Sequence, residues 1–160
     1  MATVITVDGR SLTQVRKKIR DMRMRTENLM AAWEVFLDWF ADANRVQFGS
    51  RGARWRTIWP ELAPSTVADK RREGFSGGTL IRTTDLLRSL SDRPLGMELI
   101  LPHEMQAGTR VAYAGYHQFG TRHMPRRRLI DAGEIQREHA ISSVISSWIV
   151  TGHPVVRASS

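Results

Sequence analysis

A long run without Gly or Pro, from Ser11 to Phe48, constrains the fold of this chain more than any other feature. Apolar residues recur along it every three or four positions, which is the period of an amphipathic helix. A single helix of this length is unusual in a compact domain, and the basic stretch Arg23–Thr26 interrupts the apolar pattern. The run therefore predicts two helices, one capped by Ser11 and one over Thr26–Val46 that is capped by Thr26.

The second predicted helix carries the strongest apolar stripe in the chain. This stripe predicts a helix buried in the core, and it is formed by Leu29, Met30, Trp33, Phe36, Leu37, Phe40 and Ala43. Trp39 lies beside the stripe, so we expect its ring to be exposed and to be a candidate for contact with another protein. A second long helix is predicted over Ala132–Val150, because Gly152 and Pro154 end the apolar pattern there.

Three short segments have the composition of strands. Residues Thr3–Val7 alternate β-branched side chains before an Asp-Gly turn, and Met97–Leu101 and residues 107–112 are further candidates. Together with the long helices they predict an α+β fold, in which a short antiparallel sheet packs against the two longer helices and extended loops or arms remain outside. The length fits a single domain, over residues 1–152, followed by a loose C-terminal tail over 153–160.

Two short helices and one irregular loop are predicted in the middle of the chain. The helices span Pro64–Arg72 and Asp85–Leu90, and their candidate caps are Ser65 or Thr66 and Thr83 or Thr84. The loop, over residues 49–63, contains Trp55 and Trp59, which we expect to pin it to the body of the protein. The same two rings are candidates for contact with a neighbouring subunit.

The composition narrows the classes of function. The chain has no Cys, so disulfides, thiolate nucleophiles and Cys-ligated zinc are excluded. No segment has the length and apolarity of a membrane span or the pattern of a signal peptide, so a soluble protein is expected. The five His residues have neither zinc-ligand spacing nor a helical zincin motif, and no phosphate loop is present. We therefore expect no metal, no cofactor and no enzymatic activity.

The segment Val111–Thr121 is the least ordinary stretch of the chain. It combines two Tyr, one Phe, one His, one Gln and two Gly, which suits neither a plain helix nor a plain strand. Such a mixture predicts a packed corner whose polar groups have specific partners. Its expected structural anchors are Tyr113, His117, Gln118, Phe119 and Gly120. His117 is read as a buried, hydrogen-bonded residue, since the sequence offers it neither a nucleophile nor a partner acid.

The net charge of +8 comes almost wholly from Arg, because only three of the 24 basic residues are Lys. Arg suits contacts with carboxylates and with phosphates alike. The runs Arg16–Lys18 and Lys70–Arg72 are expected to be solvated helix faces. The third run follows Pro125, whose ring restrains the backbone, and is expected to be structural or interfacial. The interface candidates in this segment are Arg122, Arg126, Arg127 and Arg128.

Three segments, taken in order, resemble the phage virion morphogenesis family, the tail completion proteins of tailed phages. The first is Trp59-Pro60-Glu61-Leu62-Ala63-Pro64-Ser65-Thr66 followed by Lys70. The second is Leu80-Ile81-Arg82-Thr83-Thr84-Asp85-Leu86-Leu87-Arg88-Ser89, in which Thr84 stands where the family usually has Gly. The third runs from Tyr113 through Gly120 to Pro125, Arg126 and Arg127, with Arg126 in place of a small residue and Arg128 in place of a second Pro.

This resemblance covers roughly residues 48 to 130. It implies a structural protein of the virion, located at the head–tail junction or the upper end of the tail, and assembled in the host cytoplasm. Relatives act as rings, often six-fold, next to head–tail connector, tail terminator or tail tube proteins. The resemblance implies no catalysis, metal or cofactor, and nonspecific contact with passing DNA is an additional expectation of the positive charge.

Two other classes of function stay open at this point. The charge alone also fits a small basic nucleic-acid-binding module, for which sequence-selective binding at physiological salt would be the distinguishing property. An enzymatic reading rests on His117 alone. We expect the ring subunit, with the stretch from Gly120 to Arg128 and the loop 49–63 as the parts that reach a neighbour.

Overall fold

A computed structural model describes residues 9–75, 78–130 and 134–157 and has an α+β arrangement, as predicted. The strand expected over Thr3–Val7 lies outside these residues. Within the described part of the chain, six α-helices flank one two-stranded sheet. In chain order they are α1 Gly9–Thr26, α2 Met30–Gly49, a 3-10 turn Ala53–Trp55, α3 Pro64–Arg72, α4 Asp85–Ser91, β1 Met97–Ile100, β2 Met105–Gly108, α5 Ala114–Phe119 and α6 Glu134–Thr151.

The break between α1 and α2 lies just after the predicted one. Thr26 is the last residue of α1, and its hydroxyl donates to the carbonyl oxygen of Arg23 (2.6 Å), so the prediction that it caps α2 is wrong. The N-cap position is occupied by Leu29, which makes no side-chain cap hydrogen bond. The residue before it, Asn28, accepts the Met30 amide through its side-chain oxygen at 3.0 Å, a local turn of the kind that Asn favours.

The main core forms where α2 and α6 meet the sheet. Phe36, Leu37 and Phe40 of α2 are at most 5% exposed and pack with Ala140 of α6. The inner face of the sheet closes this cluster with Ile100, Met105 and Ala107. The prediction that a short antiparallel sheet packs against the two longer helices is therefore confirmed.

The turn after β1 explains why the second strand does not lie where the sequence pattern predicts it. Leu101 and Glu104 exchange backbone hydrogen bonds (2.8 and 3.4 Å), which closes a tight turn directly after β1. The partner strand must therefore begin at Met105, which pairs with Ile100, and it ends at Gly108 opposite Met97. The strand predicted over 107–112 is shifted by this turn.

One Arg ties α2 to the sheet. The guanidinium of Arg93 contacts the carboxylates of Glu34 (2.6 Å) and Asp38 (2.8 Å) on α2 and of Glu98 (2.6 Å) on β1. The hydrogen bond from Arg93 lowers the pKa of Glu98, and the backbone amide of Leu95 contributes in the same direction. Within α2, the two carboxylates of this cluster, Glu34 and Asp38, lie one turn apart on the exposed side of the helix.

No described side chain of helix α1 is fully buried, and Asp21, Met22 and Arg25 are half-buried. The last turn is hydrogen-bonded to the body, where Arg25 donates to the carbonyl oxygen of Ile149 (3.1 Å). In the opposite direction, the Trp148 indole donates to the carbonyl oxygens of Arg25 (3.2 Å) and Asn28 (2.9 Å). The first turns of α1 extend from the protein without covering anything.

The described part of the C-terminal segment folds back on α6. The Val155 amide donates to the Ser147 hydroxyl oxygen (2.8 Å), the Arg157 amide donates to that of Ser143 (3.2 Å), and Val156 packs against the main core. The expectation of a loose tail is therefore wrong up to Arg157. The hydroxyls that α6 presents at one-turn spacing supply the partners that a tail otherwise finds in water.

The two short helices of the middle region have the predicted positions. The predicted cap of α3, Ser65 or Thr66, is wrong, whereas Thr84 occupies the N-cap position of α4 as predicted but makes no side-chain cap hydrogen bond. Helix α3 starts at Pro64 after Ala63, and α4 starts after Thr84, in both cases without a side-chain cap. Thr84 adopts a left-handed backbone with φ of 66°. A β-branched residue is strained in this region, where glycine is favoured.

We predict that Thr84→Gly stabilises the protein. Relief of the left-handed strain is worth about 1–2 kcal/mol, and the extra freedom of glycine in the unfolded chain offsets about 0.4–1 kcal/mol of it. The free energy of unfolding, measured by urea denaturation, should rise by up to about 1 kcal/mol. Thr83→Gly is the matched control and should be destabilising, since the Thr83 hydroxyl donates to Asp85 at 2.6 Å. A loss of stability in Thr84→Gly would contradict the assignment of strain.

Candidate assembly surfaces

The three segments that were singled out in the sequence meet around one groove. The groove has a volume of about 790 Å³ and lies between the loop that leads into α3, the turn before α4, and α5 with the hairpin after it. Its walls combine apolar and cationic side chains. Those contributed by the three segments include Leu62, Lys70, Ile81, Tyr113, His117 and Arg127.

Trp59 anchors the loop that leads into α3. Its ring is 4% exposed, packs edge-on against Phe48 (5.2 Å between ring centroids), and donates from Nε1 to the Arg128 carbonyl oxygen at 2.8 Å. A side chain at Gly52 would lie 2.7 Å from the Trp59 ring, and φ there is +93°, so glycine is required. Trp59 thus pins the loop, as expected, but it is wrong as an interface candidate.

Trp55 is buried for a related reason. It is 4% exposed, and its backbone amide donates to the side-chain oxygen of Gln47 at 3.1 Å. Gln47, fully buried at the end of α2, also donates to the Thr57 hydroxyl oxygen (3.2 Å) and to the Arg128 carbonyl oxygen (3.3 Å). The interface prediction for Trp55 is wrong as well. Gln47 was missed in the sequence, where its only signal was a polar residue near the end of an apolar stripe.

Arg127 is a clamp inside the protein. It is 5% exposed, and its guanidinium donates to the carbonyl oxygens of Pro60 (3.1 Å) and Glu61 (3.0 Å). Its backbone amide donates to the carbonyl oxygen of His117 at 2.8 Å. Burial lowers the pKa of Arg127, yet a guanidinium stays protonated in proteins. The buried cation therefore joins the loop before α3 to α5, and it is wrong as an interface candidate.

Gln118 and Gly120 hold the hairpin that follows α5. The side-chain oxygen of Gln118 accepts the amides of Leu129 (2.8 Å) and Ile130 (3.2 Å), and its nitrogen donates to the Ile130 carbonyl oxygen (3.1 Å). Gly120 has φ of +76°, and a side chain there would lie 3.1 Å from the Arg126 backbone nitrogen. Both residues have the role of structural anchors.

The aromatic residues of α5 face outward instead. Phe119 is 76% exposed, Tyr116 60% and Tyr113 42%, although the Tyr113 ring also contacts His117 edge-on. Phe119 and Tyr113 are therefore wrong as buried anchors. A six-residue helix shows too little periodicity for its buried side to be read from the sequence, so Tyr116 was not singled out.

The exposed Arg residues lie next to these rings. Arg122 and Arg126 are exposed, and Arg126 donates from Nε to the Gln118 carbonyl oxygen at 3.0 Å. Thr121 and Met124 exchange backbone hydrogen bonds (2.9 and 3.2 Å) that close the hairpin between them. Arg128 is half-buried, and its carbonyl oxygen accepts from Trp59 and Gln47. We define the aromatic–Arg surface as Tyr116, Phe119, Arg122 and Arg126.

Lys70 departs from the expectation of a solvated helix face. It is 9% exposed, and its ammonium donates to the carbonyl oxygens of Gly78 (2.9 Å) and Ile81 (2.7 Å). Burial, together with the nearby Arg82, lowers its pKa. Lys70 thereby fixes the turn that borders the groove, while Arg71 and Arg72 are exposed as expected.

His117 borders the groove as a half-buried imidazole. Burial lowers its pKa, and the positive charge of Arg127 lowers it further, so the neutral form dominates at pH 7. Among the described residues its buried Nδ1 atom has no hydrogen-bond partner, which differs from the bonded histidine expected from the sequence. The described residues also contain no group of His, Cys, Asp and Glu that could hold a metal ion.

Trp39 is half-buried rather than fully exposed. The centroid of its ring lies 5.4 Å from that of Phe36 and 6.1 Å from that of Trp55. Trp39 also lines a groove beside α6. It is thus the one Trp among the interface candidates that still presents surface to solvent in the described structure.

No family model, curated protein or solved structure matches this chain. None of the described helices is long and apolar enough to cross a membrane. The functional argument therefore depends on the residues and on their geometry.

Neighbouring Arg residues allow a matched test of the clamp. We predict that Arg127→Met lowers the free energy of unfolding by about 2 kcal/mol, because two part-buried hydrogen bonds from a charged donor to carbonyl oxygens are lost. Arg126→Met should change it by less than about 0.5 kcal/mol, as is usual for an exposed position. Urea denaturation of both variants measures the difference. Equal effects of the two substitutions would contradict the separation of clamp and surface.

The pH dependence of stability should report on His117. Its pKa is lowered in the folded protein, so the unfolded chain binds the proton first as the pH falls. The free energy of unfolding should therefore decline as the pH drops from 7 through about 6.5, the ordinary His value, and level off below the native pKa. His117→Gln should flatten this decline, while the exposed control His139→Gln should retain it. A decline that His117→Gln leaves unchanged would contradict the assignment.

Proposed function

We propose that this chain is a structural subunit of a tailed-phage virion, a head–tail joining or tail completion protein that forms a ring at the neck or the upper end of the tail. The observation that carries the proposal is the convergence of three sequence segments, far apart in the chain, on a single groove. Segments that resemble one family and also build one common surface favour a shared origin over a chance likeness.

Thr84 gives the resemblance further support. The family usually has Gly at this position, and here the Thr backbone has φ of 66°, the conformation that glycine adopts without strain. The departure from the family pattern thus preserves the backbone geometry that the pattern requires.

The exposed surfaces fit a ring subunit. Ring closure needs heterologous contacts, in which one surface meets a different surface on the next copy. The aromatic–Arg surface provides large rings and guanidinium groups, the residue types enriched at protein interfaces. It is presented by α5 and the hairpin after it, which the hydrogen bonds of Gln118 and Arg127 connect to the body of the protein. The proposed partners are further copies of this chain, often six in related rings, and the connector, terminator or tube proteins above and below.

The proposal places the protein in the virion neck or tail after assembly in the host cytoplasm, and it assigns no catalysis, metal or cofactor. The alternative of a nucleic-acid-binding module has one observation in its favour, the seven basic residues against one acidic residue in α1. Sequence-selective binding to duplex DNA at physiological salt would support this alternative, because charge alone gives only nonspecific binding.

We predict that the chain is present in mature particles and that the aromatic–Arg surface is needed for its incorporation. Phe119→Asp combined with Arg126→Glu removes an exposed ring and reverses one charge without touching a buried side chain. The free energy of unfolding should stay within about 0.5 kcal/mol of the parent value. The double variant should nevertheless fail to enter virions in a complementation assay, as measured by mass spectrometry of purified particles.

The matched control is Val150→Asp combined with Arg137→Glu, which makes the same kinds of change on exposed positions of α6. The control should enter particles normally. Absence of the parent chain from mature virions would count against the proposed function. Normal incorporation of the Phe119 and Arg126 variant would instead leave the function intact and show that another surface makes the contact.

A further inference from the structure

The edge of the sheet that β2 forms is open in the described structure. Leu101 and Glu104 exchange both of their backbone hydrogen bonds, and bonded pairs alternate along an antiparallel ladder. By this alternation Met105 and Ala107 direct their N–H and C=O groups away from β1, and these four groups have no hydrogen-bond partner among the described residues. A two-stranded hairpin is marginal by itself, and an unpaired edge is a template for a further strand.

The other edge, formed by β1, is joined more closely to the helices. Helix α2 contacts β1, and Arg93 links Glu98 of β1 to Glu34 of α2. The side chains of Met105 and Ala107 face the main core from β2 and are still half-buried. A strand added beside β2 would cover them, because neighbouring strands place side chains of one face next to each other.

The segment Thr3–Val7, which precedes the described residues, has the composition of the strand that this edge can take. It is a run of five residues rich in β-branched side chains, without charge, Gly or Pro, and such residues favour strands. Five extended residues span about 17 Å and the four of β2 about 14 Å, at 3.4 Å per residue. Since β2 is uncharged as well, no charge opposes the pairing. Ile5 and Val7 would share one face of this strand and extend the core side of the sheet.

Helix α1 separates this segment from the body of its own copy. Every residue over 9–20 is exposed, and the apolar side chains of Leu12, Val15 and Ile19 are 50–61% exposed. A helix that lay against the body would have one covered side, so this part of α1, about 18 Å long at 1.5 Å per residue, projects from it. The strand segment therefore begins beyond the surface of its own copy.

We propose that Thr3–Val7 of one copy pairs with the open edge of β2 in a neighbouring copy and becomes the third strand of that sheet. Extended segments bind exposed sheet edges in this way, with affinity from the main-chain hydrogen bonds. Each copy donates one segment and offers one edge, so the contact is heterologous and can close a ring. The inference rests on the proposed function for its biological setting and adds a second contact between subunits to the aromatic–Arg surface.

The absence of Cys allows a test by disulfide formation between single-Cys variants of the full chain. Gln106→Cys lies on the exposed face of β2, and Val4→Cys and Thr6→Cys lie on the face of the added strand that would meet it. Each of the latter is mixed with Gln106→Cys and oxidised at high protein concentration. At least one mixture should give a mixed dimer at about tenfold the yield of the control. The control partner is Leu99→Cys, which is exposed directly opposite Gln106 but one strand further from the edge.

Other distributions of cross-links would overturn the proposal. Equal yields with Gln106→Cys and Leu99→Cys would show no preference for the edge of β2, and a higher yield with Leu99→Cys would move the contact to β1. Dominant homodimers of Gln106→Cys or of Thr6→Cys would show that two β2 edges, or two N-terminal segments, pair with each other. The double variant Thr6→Cys with Gln106→Cys could instead close an internal disulfide while the mixed single variants give none. That result would show that the segment pairs with its own sheet.

Ile5→Pro tests whether the contact is made by a strand. Pro lacks the N–H group that a ladder requires, so the cross-linking yield should fall about tenfold. Ala2→Pro, outside the segment, is the matched control and should leave the yield unchanged. Both substitutions precede α1, and circular dichroism checks that both variants keep the helix content of the parent. Equal losses in the two variants would overturn the strand assignment.

The same variants separate this contact from the proposed function. Cross-linking by a chain that is absent from virions would leave the contact standing and remove the proposed function. A chain that is present in virions but gives no cross-link above the control would remove the contact and leave the function standing.

Discussion

The rest of this structure depends on one buried amide, the side chain of Gln47 at the end of α2. It accepts from the backbone of Trp55 and donates to Thr57 and to the Arg128 carbonyl oxygen, which also accepts from the Trp59 indole. Leaving such an amide buried without partners would cost about 1–3 kcal/mol, so two loops far apart in the sequence are required to meet there. Their meeting fixes the loop that leads into α3, which forms one wall of the groove.

Two further polar side chains, those of Arg127 and Gln118, position the surfaces that remain exposed. Arg127 joins the loop before α3 to α5, and Gln118 holds the chain beyond the hairpin with three hydrogen bonds. Since these groups satisfy backbone atoms that would otherwise be orphaned, the hairpin between them has little freedom. The rings of Tyr116 and Phe119, at the end of α5 directly before this hairpin, are exposed beside a hydrogen-bonded segment.

The sequence predicted the elements whose pattern is local. The apolar stripe of α2, the span of α3 and the strand predicted over Met97–Leu101 are confirmed, because helical period and strand composition act over a few residues. The second strand was displaced because the turn that Leu101 and Glu104 close around Pro102 is tight enough for β2 to begin at Met105. The start of a strand depends on such backbone hydrogen bonds, and the apolar pattern of the sequence indicates it only weakly.

The candidate site shows the same division at the level of single residues. Trp59 and Phe119 are both large aromatic residues in irregular segments, yet one is 4% and the other 76% exposed. The difference arises from what each can reach: the Trp59 indole has the Arg128 carbonyl oxygen as a partner and Phe48 as a packing surface, whereas Phe119 ends a six-residue helix that points outward. The composition indicated that the segment Val111–Thr121 was unusual. Only the contacts in the structure distinguish the residues that anchor a segment from those that lie on the surface.

Helix α1 is the described element whose stability depends least on the core. None of its 18 residues is fully buried, and its described hydrogen bonds to the body come from its last turn. A helix of this length is marginal in water by itself, because most helical stability in proteins comes from the packing of an apolar face. Leu12, Val15 and Ile19 nevertheless stay 50–61% exposed among basic residues. The stability of α1 is therefore set by its contacts with α6, whereas that of α2 is set by the core.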